Sequence, residues 1–133
     1  MTLRMKIFLI HVVIILSMAG CTDSDRHVKR RGDVNVSEVQ VPQSGQVNQN
    51  IEIKLKAEAT NGCWSNLIIT MNEIDKSHFV FKATGLFESY GTCPLQMVYN
   101  DTIINFNPQL KGKYFFQTNE IPFRVMLGTL EIN

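Results

Sequence analysis

From residue 39 onward apolar and polar residues alternate along most of the chain, and that period of two is the pattern of half-buried β-strands. The cleanest case is Ile51 to Ala59, where Ile51, Ile53, Leu55, Ala57 and Ala59 share one face and Glu52, Lys54, Lys56 and Glu58 share the other. Leu67 to Ile74 forms the next run. Asp75-Lys76-Ser77 then supplies turn chemistry before His78 to Thr84, in which Phe79, Phe81 and Ala83 lie on one face, so this pair predicts a hairpin. Cys93, Leu95, Met97 and Tyr99 alternate again, Asn100-Asp101 reads as a turn, and Thr102 to Phe106 continues. Lys113 to Thr118, Phe123 to Ile132 and a weaker run at Glu38 to Val41 complete the set. The spacing is short and no helical window separates the runs. The expectation is an all-β domain, an antiparallel sandwich of about seven or eight strands in which two sheets bury their apolar faces against each other.

The first residues follow a different rule. Arg4 and Lys6 precede an apolar stretch from Ile7 to Met18, interrupted only by His11 and Ser17. That stretch is shorter than the roughly 20 residues a spanning helix needs, so it predicts an export signal helix rather than a membrane anchor. Residues 22–36 are polar and charged and keep neither period, which predicts a flexible tether made locally basic by Arg26, Lys29, Arg30 and Arg31. The expected organisation is therefore a signal peptide over 1–20, a tether over 21–36 and a β-sandwich over 37–133. Arg31-Gly32-Asp33 would lie exposed in that tether, where a three-residue adhesion match carries little weight.

Ser17-Met18-Ala19-Gly20-Cys21 resembles the lipobox of bacterial lipoproteins, with Met18 where Leu is commonest. The resemblance implies cleavage before Cys21 and lipidation of its thiol. Several acyl chains, each methylene contributing about 0.8 kcal/mol on burial, then hold the domain at a bilayer with no spanning segment. Thr22 in place of Asp implies sorting to the outer membrane, on its periplasmic or surface face. With Cys21 as the lipidation site, Cys63 and Cys93 remain as an even pair in an oxidising compartment, and a disulfide between them is expected. A redox-active pair lacks the close Cys-x-x-Cys spacing.

Pro42, the turn from Gly45 to Asn50, the Asn61-Gly62-Cys63-Trp64 corner, Cys93-Pro94 and Gly112-Lys113-Tyr114-Phe115-Phe116 together resemble lipid-anchored immunoglobulin-like or fibronectin-like domains of bacterial envelopes. The resemblance implies a fold and not an activity.

Composition narrows the partners. The 133 residues allow one domain, and a formal net charge of +1 lacks the positive field of a nucleic-acid binder. Gly-x-Ser-x-Gly, His-Glu-x-x-His and glycine-rich phosphate loops are missing, and the domain holds His78 as its one histidine, so the expectation is a non-enzymatic module without cofactor. Glu73 and Asp75 read as solvated turn charges, and Tyr90 as a contact residue in an exposed loop. The sequons at Asn35 and Asn100 have little meaning in a bacterial lipoprotein. The expected partners are the membrane, through the lipid on Cys21, and another envelope protein or glycan. The alternatives are a periplasmic carrier, with His78, Met71, Met97 and Met126 as borderline or soft copper ligands, and a module resembling a protease inhibitor.

Overall fold

The computed structural model describes residues 27–118 and 126–133. The expected signal helix, the lipobox with Cys21 and the first part of the expected tether lie outside the described residues. All regular structure among those residues is β: β1 Val28–Gln40, β2 Ser44–Gly45, β3 Ile51–Ala59, β4 Trp64–Asp75, β5 His78–Ser89, β6 Val98–Phe106, β7 Gly112–Thr118 and β8 Met126–Ile132. They form one curled, mixed sheet with the order β2-β8-β7-β5-β1-β3-β6, and β4 lies on the other edge of β5.

The curl originates in β1. Its first half, Val28 to Val34, pairs antiparallel with β5 from Ser89 back to Ala83. Its second half pairs with β3, and a register shift between Val36 and Glu38 marks the bend. An extra residue on one strand of a ladder bends that strand, and here it carries β1 from one wall of the domain to the other. The edge of β5 that β1 leaves is occupied by β7, which pairs in parallel from His78↔Phe115 to Phe81↔Thr118. Two strands thus lie end to end along one side of β5. β2 and β8 are also parallel. The described residues are all-β, as the alternation predicts, but two of their pairings depart from the antiparallel expectation.

Inside the curl the alternating faces meet. The inward set of β3, namely Ile51, Ile53, Leu55, Ala57 and Ala59, is buried to the last residue. Phe79 and Phe81 of β5, Phe106 of β6 and Phe116 of β7 form an aromatic cluster with ring centroids 5.0–5.7 Å apart. Phe81 and Phe116 are fully enclosed, and burial of each contributes roughly 1.5–3 kcal/mol.

Two expectations need correction. A tether reaching to residue 36 is ruled out, because residues 28–36 are the first part of β1 and Val36 belongs to the core. The domain accordingly begins about nine residues before the expected boundary at 37. Polar residues are tolerated there because β5 supplies their partners. Lys29 pairs with Glu88 at 3.2 Å, Arg31 donates to the Thr84 hydroxyl at 3.2 Å, and Asp33 pairs with Lys82 at 3.2 Å. The second correction concerns Asn100-Asp101, which is no turn. Val98 to Phe106 runs as one strand paired with β3 throughout, while Cys93 to Met97 forms no strand.

Candidate functional site

Polarity along β5 defines the two ends of the domain. The chain enters β1 where Val28 pairs with Ser89, and the turn between β4 and β5 lies at the opposite end, roughly 40 Å away for a strand of this length.

Among the described residues β4 and β6 each pair on one side only, and the edges left over face each other across a seam. Near the entry end the seam is bridged: the Asn100 amide donates to the Leu67 carbonyl at 2.8 Å. The bridge falls where β4 is irregular, because Asn66 adopts a left-handed φ of 48° and the register with β5 shifts between Ser65 and Ile68. Toward the far end a groove of about 460 Å³ lies between the two edges. Phe79, Phe106 and Tyr114 form its floor, Met71 and Leu110 its apolar sides, and Glu73, Lys76 and Asn105 its polar rim. The loop beside it is held by the Tyr114 hydroxyl, which donates to the Leu110 carbonyl at 2.8 Å and leaves the Leu110 side chain 59% exposed. Chemically this is an apolar cleft next to unpaired strand edges, an arrangement that accepts an extended segment or a flat apolar group.

The turn at the far end holds Asp75, Ser77 and His78 together, but not as a catalytic triad. The Asp75 carboxylate and the Ser77 hydroxyl both contact His78 Nδ1, at 2.9 and 3.1 Å. A triad requires nucleophile and orienting acid on opposite ring nitrogens, so this imidazole cannot take the Ser77 proton while held by Asp75. Asp75 instead caps the turn, accepting from the amides of Ser77 at 2.8 Å and His78 at 2.9 Å. The Ser77 amide, followed by the His78 side chain, lowers its pKa to about 2. The His78 ring stacks on Phe115 with centroids 4.8 Å apart.

At the entry end Glu88 is the hub of a polar cluster. His27 Nε2 lies 2.9 Å from its carboxylate, Lys29 pairs with it, and the Tyr90 hydroxyl donates to it at 3.3 Å. The His27 side chain, followed by Lys29, holds the Glu88 pKa below the usual carboxylate range. The His27 and Tyr90 rings stack at 4.4 Å, and the Arg30 guanidinium sits 5.6 Å from the Phe87 ring centre. The same end carries the disulfide expected from the cysteine count: Cys63 and Cys93 are bonded, with Cα atoms 5.3 Å apart. It joins the β3–β4 connection to the loop over residues 90–97, and the Gly62 amide reinforces the junction by donating to the Pro94 carbonyl at 2.9 Å.

The structure does not assemble the suggested copper ligands. Met71 lines the groove and His78 lies at the far end, whereas Met97 adjoins the start of β6 at the entry end; the side chain of Met126 lies outside the described residues. Among the described residues no cluster of three His, Cys, Asp or Glu side chains is placed to hold a metal. Arg31-Gly32-Asp33 is extended strand with side chains committed to β5, not an exposed loop. The Asn100 side chain closes the seam. Leu110 and Tyr114 of the groove give no signal in the sequence, since nothing in a single chain reveals that β4 and β6 part company. No protein-family model, curated protein or solved structure matches the chain.

Proposed function

We propose that the chain is a lipid-anchored, non-enzymatic protein of the bacterial cell envelope, held at the outer membrane through Cys21, whose β-domain offers the groove between β4 and β6 to another envelope protein or a glycan. The observation that carries this reading is the placement of the groove. It opens near the turn between β4 and β5, at the end of the domain opposite the point where the chain arrives from Cys21. The lipobox resemblance supports the anchor, and the two carboxylates nearest to a catalytic pair support a non-enzymatic role: Asp75 is engaged in capping its turn and Glu73 rims the groove. The sequence resemblance to immunoglobulin-like envelope domains supports this use, because such domains also place their contacts on loops and strand edges.

Two measurements test the reading. Intact-mass analysis of the mature protein is expected to show a chain beginning at an acylated Cys21; an uncleaved signal with an unmodified thiol overturns the anchor. A photo-crosslinking residue at position 110 is expected to capture a discrete envelope component that Met71→Lys abolishes. Equal capture from position 110 with and without that charge would remove the groove as the site.

A further inference from the structure

We infer that the entry end of the domain is a membrane-contact face, which lies on an anionic phospholipid surface and presents the groove away from it. The inference rests on the reading of Cys21 as the lipid anchor.

Three observations converge. The first is reach. Seven residue steps separate Cys21 from Val28, so even a fully extended chain spans at most about 25 Å, less than the roughly 40 Å length of β5. Val28 pairs with Ser89, so the end of the domain that this tie holds near the bilayer is the one built from the start of β1 and the loop over residues 90–97.

The second is the apolar character of that end. Leu95 is 100% exposed and Tyr90 68% exposed, with Val28 and Met97 also in water. Leu95 follows Pro94, whose carbonyl accepts from the Gln96 and Gly62 amides, and Cys93 is bonded to Cys63; the loop therefore holds its leucine outward on a braced backbone. Tyr90 is stacked on His27, an amphipathic ring of the type that favours the headgroup region.

The third is charge. Arg30 and Arg31 lie at the same end, and among the described residues neither has a carboxylate within ion-pair distance. Arg30 sits over Phe87, and Arg31 donates to a hydroxyl. Glu88 is already engaged by Lys29 and His27. β1 carries one guanidinium on each face near its start, and these two cations, at the end of the domain that also exposes Leu95 and Tyr90, suit anionic headgroups over an acyl layer. A short tether also raises the effective concentration of the face at the bilayer, so contacts too weak to recruit a free protein suffice to orient a tethered one.

The test uses the lipidated protein reconstituted in vesicles of phosphatidylethanolamine and phosphatidylglycerol, with acyl chains brominated near the headgroup as quenchers. Leu95→Trp and Ile74→Trp place an added indole at the entry end and beside the far turn, and each is read as the increment over the native Trp64 signal. The increment from the indole at position 95 is expected to be strongly quenched and that from position 74 untouched. Arg30→Gln/Arg31→Gln, carried in the Leu95→Trp protein, should lower the docked-to-undocked ratio roughly thirtyfold at low salt. Should that pair of changes disturb folding, raised salt on the unaltered arginines must weaken the quenching in the same direction. In the native protein, Leu95→Asp should remove the slowed hydrogen exchange expected for residues 91–97 on vesicles.

Equal quenching at both ends, in protein that floats with the vesicles and carries lipid on Cys21, overturns the face and leaves the anchor standing. Shielding of the indole at position 95 in detergent without vesicles, with a doubled particle mass, would assign the patch to a second copy and also overturns it. An unlipidated Cys21 removes both readings together.

Discussion

Replacing Gly85 by alanine tests how the entry end of the fold is packed. Gly85 and Gly32 face each other across the β1–β5 ladder, and the Trp64 indole lies over both. A Cβ on Gly85 would stand 2.6 Å from Leu67 Cδ2 and 3.0 Å from Trp64 Cε3, while one on Gly32 would stand 3.0 Å from Trp64 Cη2. The Leu67 atom is the end of a flexible side chain and can move. The indole cannot, because it packs edge-on to Phe87 at 5.2 Å. Overpacking of this kind costs about 1–3 kcal/mol. The reduced freedom of the unfolded chain returns roughly 0.4–1 kcal/mol, so Gly85→Ala should destabilise by about 1–2 kcal/mol. Trp64, the chain's one tryptophan, reports the urea transition directly by fluorescence. The deciding measurement is a double-mutant cycle read by circular dichroism: in a Trp64→Phe background the same alanine should cost less than about 0.5 kcal/mol. A penalty of the same size in both backgrounds would refute the slot as the cause, and a neutral Gly85→Ala would refute the contact altogether.

Other changes have equally definite outcomes. Converting both Cys63 and Cys93 to alanine opens a loop with a sequence separation of 30 and should lower stability by roughly 3.5–4 kcal/mol in urea unfolding; a loss below about 1 kcal/mol would contradict the chain-entropy account. Thr118 is 1% exposed and its hydroxyl has no partner among the described residues, so Thr118→Val should raise stability by about 1 kcal/mol, and a loss in thermal unfolding would show that the hydroxyl is satisfied. Asp75 titrates lower in the folded chain than its ordinary value of 3.8, so its stabilising effect is complete above that value and is lost as the pH falls toward about 2. Asp75→Asn should flatten this acid limb of the stability curve, and an unchanged limb sinks the assignment.

Much of the sheet is legible from alternation because each strand with one buried face repeats its apolar residues every second position. β3 matches its run from Ile51 to Ala59 residue for residue, and the turn at Lys76-Ser77 joins β4 to β5 as its composition implies. The pairing of Cys63 with Cys93 is the one left when the lipobox resemblance sets Cys21 aside from the three cysteines. β1 escapes the pattern from Val28 to Val36 because its inward positions include a glycine under Trp64 and an arginine over Phe87, neither of which scores as apolar. The expected turn at Asn100-Asp101 fails for a related reason. Asn100 is spent on the Leu67 carbonyl, and Asp101 stands in the outward row opposite Lys56, so polar residues sit comfortably in mid-strand. The parallel pairing of β5 with β7 depends on β1 bending away first, a tertiary event that no local pattern encodes. For the same reason the groove is invisible in the sequence: its floor is ordinary strand sequence, and only the parting of two edges exposes it.

The shared edge of β5 also orders the assembly of the domain in time. β1 is the first strand to be made, yet it has no partner until β3 follows it and no second partner until Ser89 has emerged. β7 finds its half of β5 only after the loop beyond Phe106 has crossed the end of the sheet. Four of the seven ladders, β1–β5, β2–β8, β3–β6 and β5–β7, therefore close long stretches of chain, which places folding on the slow side for a domain of this size. Until β7 arrives, Phe79 and Phe81 lack the Phe116 ring that covers them, and a greasy strand edge stands open. A chain of this design is most vulnerable to aggregation in the interval before β7 has docked on β5, and needs an escort most at that stage.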